Sequence, residues 1–265
     1  MEQQTTALTP KQASNIAAMQ NTQAQEVLQS SISAPRIHLM QGLSEFVSEG
    51  KAHVGDIVRL PGGQILAKKG GFIDVIPLAL SESWLLEEKV GDKYEYRKRE
   101  ARNVANDSLD WDFTHNGTPW RRSKVQEYIV LLPGDIEREI KALEAVKKGG
   151  FADPEDALVP CVLTFQRTNF NAGKEIATFF AKAKHFKSPL YYSIFRVAST
   201  TTTNTKGTYS TYTVTKGEKT PEKYHTVCAT WQSMFKQGAV EVTEVAPEQD
   251  SGPAKKHTDS KEDMY

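Results

Sequence analysis

The segment that decides the fold reads VPCVLTFQRTNF (159–170), PLYYSIFRVAST (189–200) and TYSTYTVTK (208–216), with residues 171–187 between the first two runs. The quoted runs are rich in β-branched and aromatic residues, which favour strands. In residues 171–187, apolar side chains recur every three to four positions, which predicts a helix with one face on a core. The predicted order is strand, helix, strand, strand, and the core-facing side of the helix consists of Ile176, Phe179, Phe180 and Ala183.

Charge is distributed unevenly along a chain that is neutral as a whole. Residues 159–240 hold 11 Lys and Arg against three Asp and Glu, a balance of +8, whereas residues 36–158 hold 18 against 21. The positive excess therefore coincides with the most aromatic strands. Because single-stranded nucleic acid needs stacking surfaces beside phosphate-binding charges, this segment is predicted to bind it.

The rest of the sequence predicts one folded domain between two polar ends. Residues 1–34 are rich in Gln, Ala, Ser and Thr and predict a flexible N-terminal arm. Residues 241–265 carry seven acids and three lysines and predict a disordered acidic tail. Residues 35–240 are the predicted domain. Within it we expect a strand at 71–80, a loop at 107–122, an amphipathic helix at 135–148 and a polar hairpin loop at 200–206.

The sequence lacks the patterns that are typical of zinc-binding proteins and of common enzyme classes. The two cysteines, Cys161 and Cys228, form no CxxC pair, so we expect reduced core thiols and no zinc site. No phosphate-binding glycine loop or nucleophile-elbow motif occurs. Asp110 and Asp112 lie in a polar segment that resembles a turn, where acidic side chains are usually solvated. We therefore expect no enzyme, no catalytic residue, no metal and no cofactor.

Membrane insertion is also not expected. No apolar run approaches the ~20 residues that a bilayer-spanning helix requires, and the first residues show no apolar signal region. The sequence predicts a soluble, cytoplasmic protein without a membrane partner.

The layout of the chain resembles the single-stranded DNA-binding proteins of bacteriophages and bacteria. The resemblance rests on the strand–helix–strand–turn–strand order, on the mixture of cations and aromatic residues at 165–216, and on the acidic, aromatic C-terminus. It implies a mainly β (α+β) fold, an OB-fold-like five-stranded barrel with inserted helices and disordered termini. It also implies coating of single-stranded DNA during replication and recombination, in the host cytoplasm if a phage encodes the chain. In that family the tail recruits replication and recombination proteins, so the predicted partner-binding residues are Glu262, Asp263, Met264 and Tyr265.

The predicted nucleic-acid-binding residues are cations and aromatic residues of the basic segment and of a cluster around Trp120. Each also has an ordinary structural alternative, since the aromatic residues can belong to a core and the lysines to the solvated face of a helix. The candidates are Trp120, Arg121, Arg122, Lys124, Phe165, Arg167, Lys182, Lys184, Lys187, Tyr192, Arg196, Lys206, Tyr209 and Tyr212.

Two other functions fit the same sequence features. The first is a homo-oligomeric assembly protein without nucleic-acid affinity, in which strands with aromatic residues on both faces are buried between copies. The second is a recombination accessory factor that anneals complementary single strands. A defined oligomer that ignores DNA would indicate the first alternative, and pairing of complementary strands would indicate the second.

Overall fold

The computed structural model describes residues 34–153, 157–204 and 207–236. The predicted N-terminal arm (1–34, except for its last residue), the predicted tail (241–265) with its partner-binding residues 262–265, and Lys206 lie outside the described residues. The predicted boundaries of the domain at 35 and 240 stay predictions.

The described chain is mainly β, as expected. Four helices accompany the strands in the described residues: α1 (Glu45–Ser48), α2 (Pro133–Lys147), α3 (Phe170–His185) and α4 (Glu222–Lys236). No helix in this part of the chain has both the length and the apolar character needed to cross a lipid bilayer. The strands are β1 (Arg36–Leu39), β2 (Ile57–Leu60), β3 (Gln64–Ala67), β4 (Phe72–Val90), β5 (Lys93–Ala101), β6 (Asp112–His115), β7 (Thr118–Leu131), β8 (Cys161–Gln166), β9 (Ser193–Asn204) and β10 (Gly207–Lys219).

All ten strands belong to one sheet with the order β10-β9-β4-β7-β8-β1-β2-β3, and β5 and β6 pair with β4 and β7 off this path. Among the strands of the described residues, the β1–β8 pair is parallel and the other pairs are antiparallel. The path is open, with β10 and β3 at its ends, so the predicted five-stranded barrel is not confirmed. The reason is that β1 occupies the edge of β8 that lies away from β7.

Side-chain amides cap the open edge of β10. The Gln41 amide donates to the carbonyl oxygen of Ser210 at 2.9 Å and accepts from its backbone N–H at 3.3 Å. The Asn169 side chain accepts from the backbone N–H of Tyr212 at 2.7 Å. These contacts satisfy edge groups that would otherwise be a template for another strand.

The two faces of the sheet bury two separate cores, because side chains alternate along a strand. On β7, Tyr128 and Val130 point into the first core, whereas Ile129 and Leu131 point into the second. Helix α3 covers the first core with the predicted residues Ile176 and Phe180 buried, Ala183 buried beside them and Phe179 half-buried. Helices α2 and α4 cover the second core with Ile136, Tyr224 and Cys228.

Both cysteines are free and buried, which confirms the expectation of reduced core thiols. Burial raises the pKa of Cys161 to about 11 and that of Cys228 to about 12. Both groups therefore stay protonated near neutral pH and act as small apolar side chains.

His38 on β1 makes the stability of the fold depend on pH. Burial, together with the neighbouring Arg36, lowers its pKa from 6.5 to about 4. As pH falls below 6.5, His38 becomes protonated in the unfolded chain but stays neutral in the folded chain. The contribution of His38 to the free energy of unfolding is therefore fully present above pH 6.5 and declines as pH falls towards 4. We expect this residue to account for a loss of at most about 3 kcal/mol over that window. Thermal melts of the wild type and of His38→Gln between pH 7.5 and 4.5 measure this loss of stability. The variant should show the shallower decline, and equal slopes would contradict the assignment.

Candidate nucleic-acid interface

A four-stranded wing carries the first group of predicted residues. It consists of β5, β6, the end of β4 (83–90) and the start of β7 (118–124). The prediction of a loop at 107–122 is wrong from residue 112 onwards, where β6 and β7 form a tight hairpin. Asn116 and Gly117 make its two-residue turn with φ angles of 50° and 79°. Asn-Gly is the strongest short hairpin signal in a sequence, and it could have identified this turn.

Aromatic packing holds Trp120 within the wing. Its ring is half-buried, with centroids 6.0 Å from Phe113 and 5.9 Å from His115. The Arg122 guanidinium lies 3.7 Å from the centroid of Phe113 and donates to the carbonyl oxygen of Asp110 at 3.0 Å. Both predicted residues are therefore engaged with neighbours inside the wing.

The two other cations of this group pair with carboxylates. Arg121 lies 4.0 Å from the ring centroid of Tyr94 and 3.4 Å from the Asp112 carboxylate. Lys124 forms a 2.9 Å ion pair with Asp107. Hydrogen bonds from Arg102 and Lys124 lower the pKa of Asp107 to about 2. Arg121 and Lys124 thus already have carboxylate partners within the protein.

Phe165 and Tyr212 belong to the core. Their rings are buried and meet edge to face at 5.5 Å between centroids. Tyr128 packs on Phe165 in the same way at 5.7 Å. The sequence was compatible with a core or a ligand-binding role for these rings, and in the structure both pack in the core that α3 covers.

The two predicted arginines are also paired. Arg167, in a left-handed conformation with φ 50°, forms an ion pair with the buried Glu87. Arg196 binds Asp74 through Nε at 3.0 Å and lies 3.7 Å from the ring centroid of Phe72.

Tyr209 lines an open pocket between β10 and the start of α3. The volume of the pocket is about 500 Å³, and its wall combines threonine hydroxyl groups with the side chains of Ala172 and Val214. The prediction of a polar loop at 200–206 is wrong for residues 200–204, which belong to β9, and cross-strand threonine contacts join this strand to β10. The hydroxyl oxygens of Thr202 and Thr211, for example, lie 3.1 Å apart.

The predicted lysines of α3 differ from all these cations. Lys182, Lys184 and Lys187 are exposed, and none forms an ion pair with a residue that the structure describes. The positive end of each side chain is therefore available to an external anion. Cations also stabilise the carboxyl end of a helix, so their presence alone does not define a site.

Two lysines of β10 extend this surface, and the sequence alone did not single them out. Lys216 lies 5.4 Å from the ring centroid of Phe179, one helical turn before Lys182. Lys219 lies 5.4 Å from the ring centroid of the half-buried Tyr192, and a hydrogen bond to that side chain raises the pKa of Lys219. We call the resulting set the lysine surface: Lys182, Lys184, Lys187, Lys216 and Lys219. Strand pairing brings β10 back to α3, which spacing along the chain does not reveal.

The lysine surface can bind a polyanion that also carries flat apolar groups. Five ammonium groups supply the charge, and Tyr192 and Phe186 supply rings, the second of them 74% exposed. Among residues 34–153, 157–204 and 207–236, no three His, Cys, Asp or Glu side chains lie together as metal ligands would. No protein-family model, characterised protein or solved structure matches this chain.

Proposed function

We propose that this chain is a single-stranded DNA-binding protein without catalytic activity, which coats DNA during replication and recombination with little preference for sequence. The observation that carries the proposal is the lysine surface, whose cations have no carboxylate partner among the described residues, beside partly exposed rings. Lys side chains neutralise phosphates, and aromatic rings stack on any base. Binding by these two contacts is strong without reading the sequence.

The packing of the molecule supports this location of the interface. One face of the sheet is closed by α3 and the other by α2 and α4. In the wing, carboxylates and rings already engage the predicted cations Arg121, Arg122 and Lys124. The outer side of α3 with β10 is therefore the part of the predicted interface whose lysines have no carboxylate partner among the described residues.

We further infer that the fold is a derivative of the OB-fold. Strands β10, β9, β4, β7 and β8 are consecutive neighbours in the sheet, and α3 connects β8 to β9. Without the wing strands, the order along the chain is β4, β7, β8, α3, β9 and β10. The helix therefore lies between the third and the fourth of these five strands, as in an OB-fold. Strands β1 to β3 would then be the addition that keeps the barrel open. The cytoplasm is the proposed location, and residues 262–265 are the proposed contact for replication and recombination proteins.

Replacing the α3 lysines tests the proposal. The variant Lys182→Gln/Lys184→Gln/Lys187→Gln should bind a labelled ~30-nucleotide oligo-dT at least tenfold more weakly than the wild type at low salt. Each phosphate contact contributes about 0.7 to the slope of log K against log salt, so the loss of three should reduce the slope by about 2. Fluorescence anisotropy at several salt concentrations measures both quantities.

Helix α2 provides a matched control. Lys141→Gln/Lys147→Gln/Lys148→Gln removes the same charge from another exposed helix and should change neither affinity nor slope by a comparable amount. If both variants lose affinity equally, binding reflects net charge and not this surface. A wild-type protein that fails to bind oligo-dT at micromolar concentration would contradict the proposed function and favour the assembly alternative.

A further inference from the structure

The carboxyl end of α3 presents an exposed aromatic ring within the lysine surface. Phe186 directly follows the helix, between Lys184 and Lys187, and is 74% exposed. It belongs to none of the three apolar clusters of the described structure, and its ring meets the His185 ring edge to face at 4.9 Å between centroids. A phenylalanine in this setting contributes little to the core, and covering its ring would be favourable.

A hydrogen-bonded turn holds this ring outwards. The Ser188 backbone N–H donates to the carbonyl oxygen of Ala183 at 2.8 Å, and that of Lys187 donates to Lys184 at 3.2 Å. These two bonds form the Schellman motif, which ends a helix in a defined conformation. Phe186 is therefore exposed because the backbone places it there, and not because the segment lacks structure.

Lys187 occupies the position of this motif at which glycine is favoured. Its φ is 53°, in the left-handed region that disfavours residues with a Cβ. Strained residues of this kind concentrate at functional sites. A lysine here, next to an exposed ring, matches a ligand that alternates flat apolar groups with negative charges at short spacing.

We propose that Phe186 stacks on a base of the bound single strand while Lys184 and Lys187 bind the flanking phosphates. This inference rests on the proposed function of the lysine surface and names the residue at which a base is contacted. Stacking on one ring is independent of base identity, which agrees with coating of any sequence.

A comparison of normal and abasic oligonucleotides tests the proposal. We expect Phe186→Ala to lower the affinity for oligo-dT by about tenfold, as the loss of one stacked base would. The salt slope should stay as in the wild type, because no charge is removed. On an abasic strand of equal length, which has phosphates without bases, wild type and variant should bind equally.

Two further variants complete the test. Phe186→Tyr keeps a ring and should restore most of the affinity. Phe151→Ala removes another exposed ring that follows Lys147 and Lys148 in the sequence, after the end of α2, and should have no effect.

The outcomes separate the two proposals. If the wild type ignores oligo-dT, the proposed function fails. If it binds and Phe186→Ala binds equally well, only the role of Phe186 is refuted. An equal loss of affinity on the normal and abasic strands would show that the ring supports the surface without contacting bases, and it would also overturn the inference.

Discussion

Replacing Glu127 with glutamine should lower the free energy of unfolding by about 3 kcal/mol, because it breaks a buried ionic cluster. The carboxylate of Glu127 binds Arg36 at 2.8 Å and Arg99 at 2.7 Å. All three side chains are at most 13% exposed. The glutamine amide would remove the negative charge that these two buried guanidinium groups share. Urea denaturation at pH 7 measures the difference.

The pH dependence of this variant gives an independent check. Burial alone would raise the pKa of Glu127, but Arg99 and Arg36 outweigh it, so the net shift is downwards. A carboxylate with a lowered pKa stabilises the fold above its unfolded value near 4.5, and this contribution is lost as pH falls through the folded value. Below pH 4.5 the wild type should therefore lose stability faster than Glu127→Gln.

An exposed ion pair serves as the control for Glu127. Glu100 binds Lys98 at 2.7 Å with both side chains largely in solvent. Exposed pairs of this kind contribute roughly 0–1 kcal/mol, so Glu100→Gln should be close to neutral. If both variants lose the same stability, burial of the Glu127 cluster is not the cause.

The second large effect is expected at Gly173, where α3 touches the sheet. A Cβ at this position would lie 2.6 Å from Oε1 of Gln126 and 2.9 Å from the side chain of Phe165. The Tyr128 hydroxyl also donates to the carbonyl oxygen of Gly173 at 2.8 Å. Because the ring and the amide are themselves buried, neither can move aside without disturbing the core. Gly173→Ala should destabilise the fold by about 2 kcal/mol, at the level known for overpacked cores.

A second helical glycine provides a control of opposite sign. Gly134 lies in the first turn of α2, and a Cβ there would meet no atom within 4 Å. Because alanine favours a helix over glycine, Gly134→Ala should be neutral or stabilise the protein by up to about 1 kcal/mol. Thermal melts of both variants under one condition suffice. A stabilised Gly173→Ala variant would refute the close approach of α3 to β7 and β8.

Much of the candidate site could be predicted from the sequence, because local patterns carry the required information. Helical spacing predicted that Ile176 and Phe180 face the core, and the structure has both of them buried, with Lys182 and Lys184 exposed. The exposure of Phe186 could not be predicted in this way. It depends on the turn after α3, in which Lys187 has the left-handed conformation. A glycine at this position would have indicated the turn in the sequence, but a lysine does not.

The sequence by itself determined the strand-rich character of the chain, the order of strands and helix after residue 159, and the faces of α3, because periods of two and 3.6 residues reflect local geometry. Only the tertiary structure decided which charges are neutralised and which rings are buried. Arg196 and Asp74 are 122 positions apart, and Arg36 and Glu127 are 91 apart. Pairing over such separations depends on how the sheet curves and which strands become neighbours, and no local pattern contains that information.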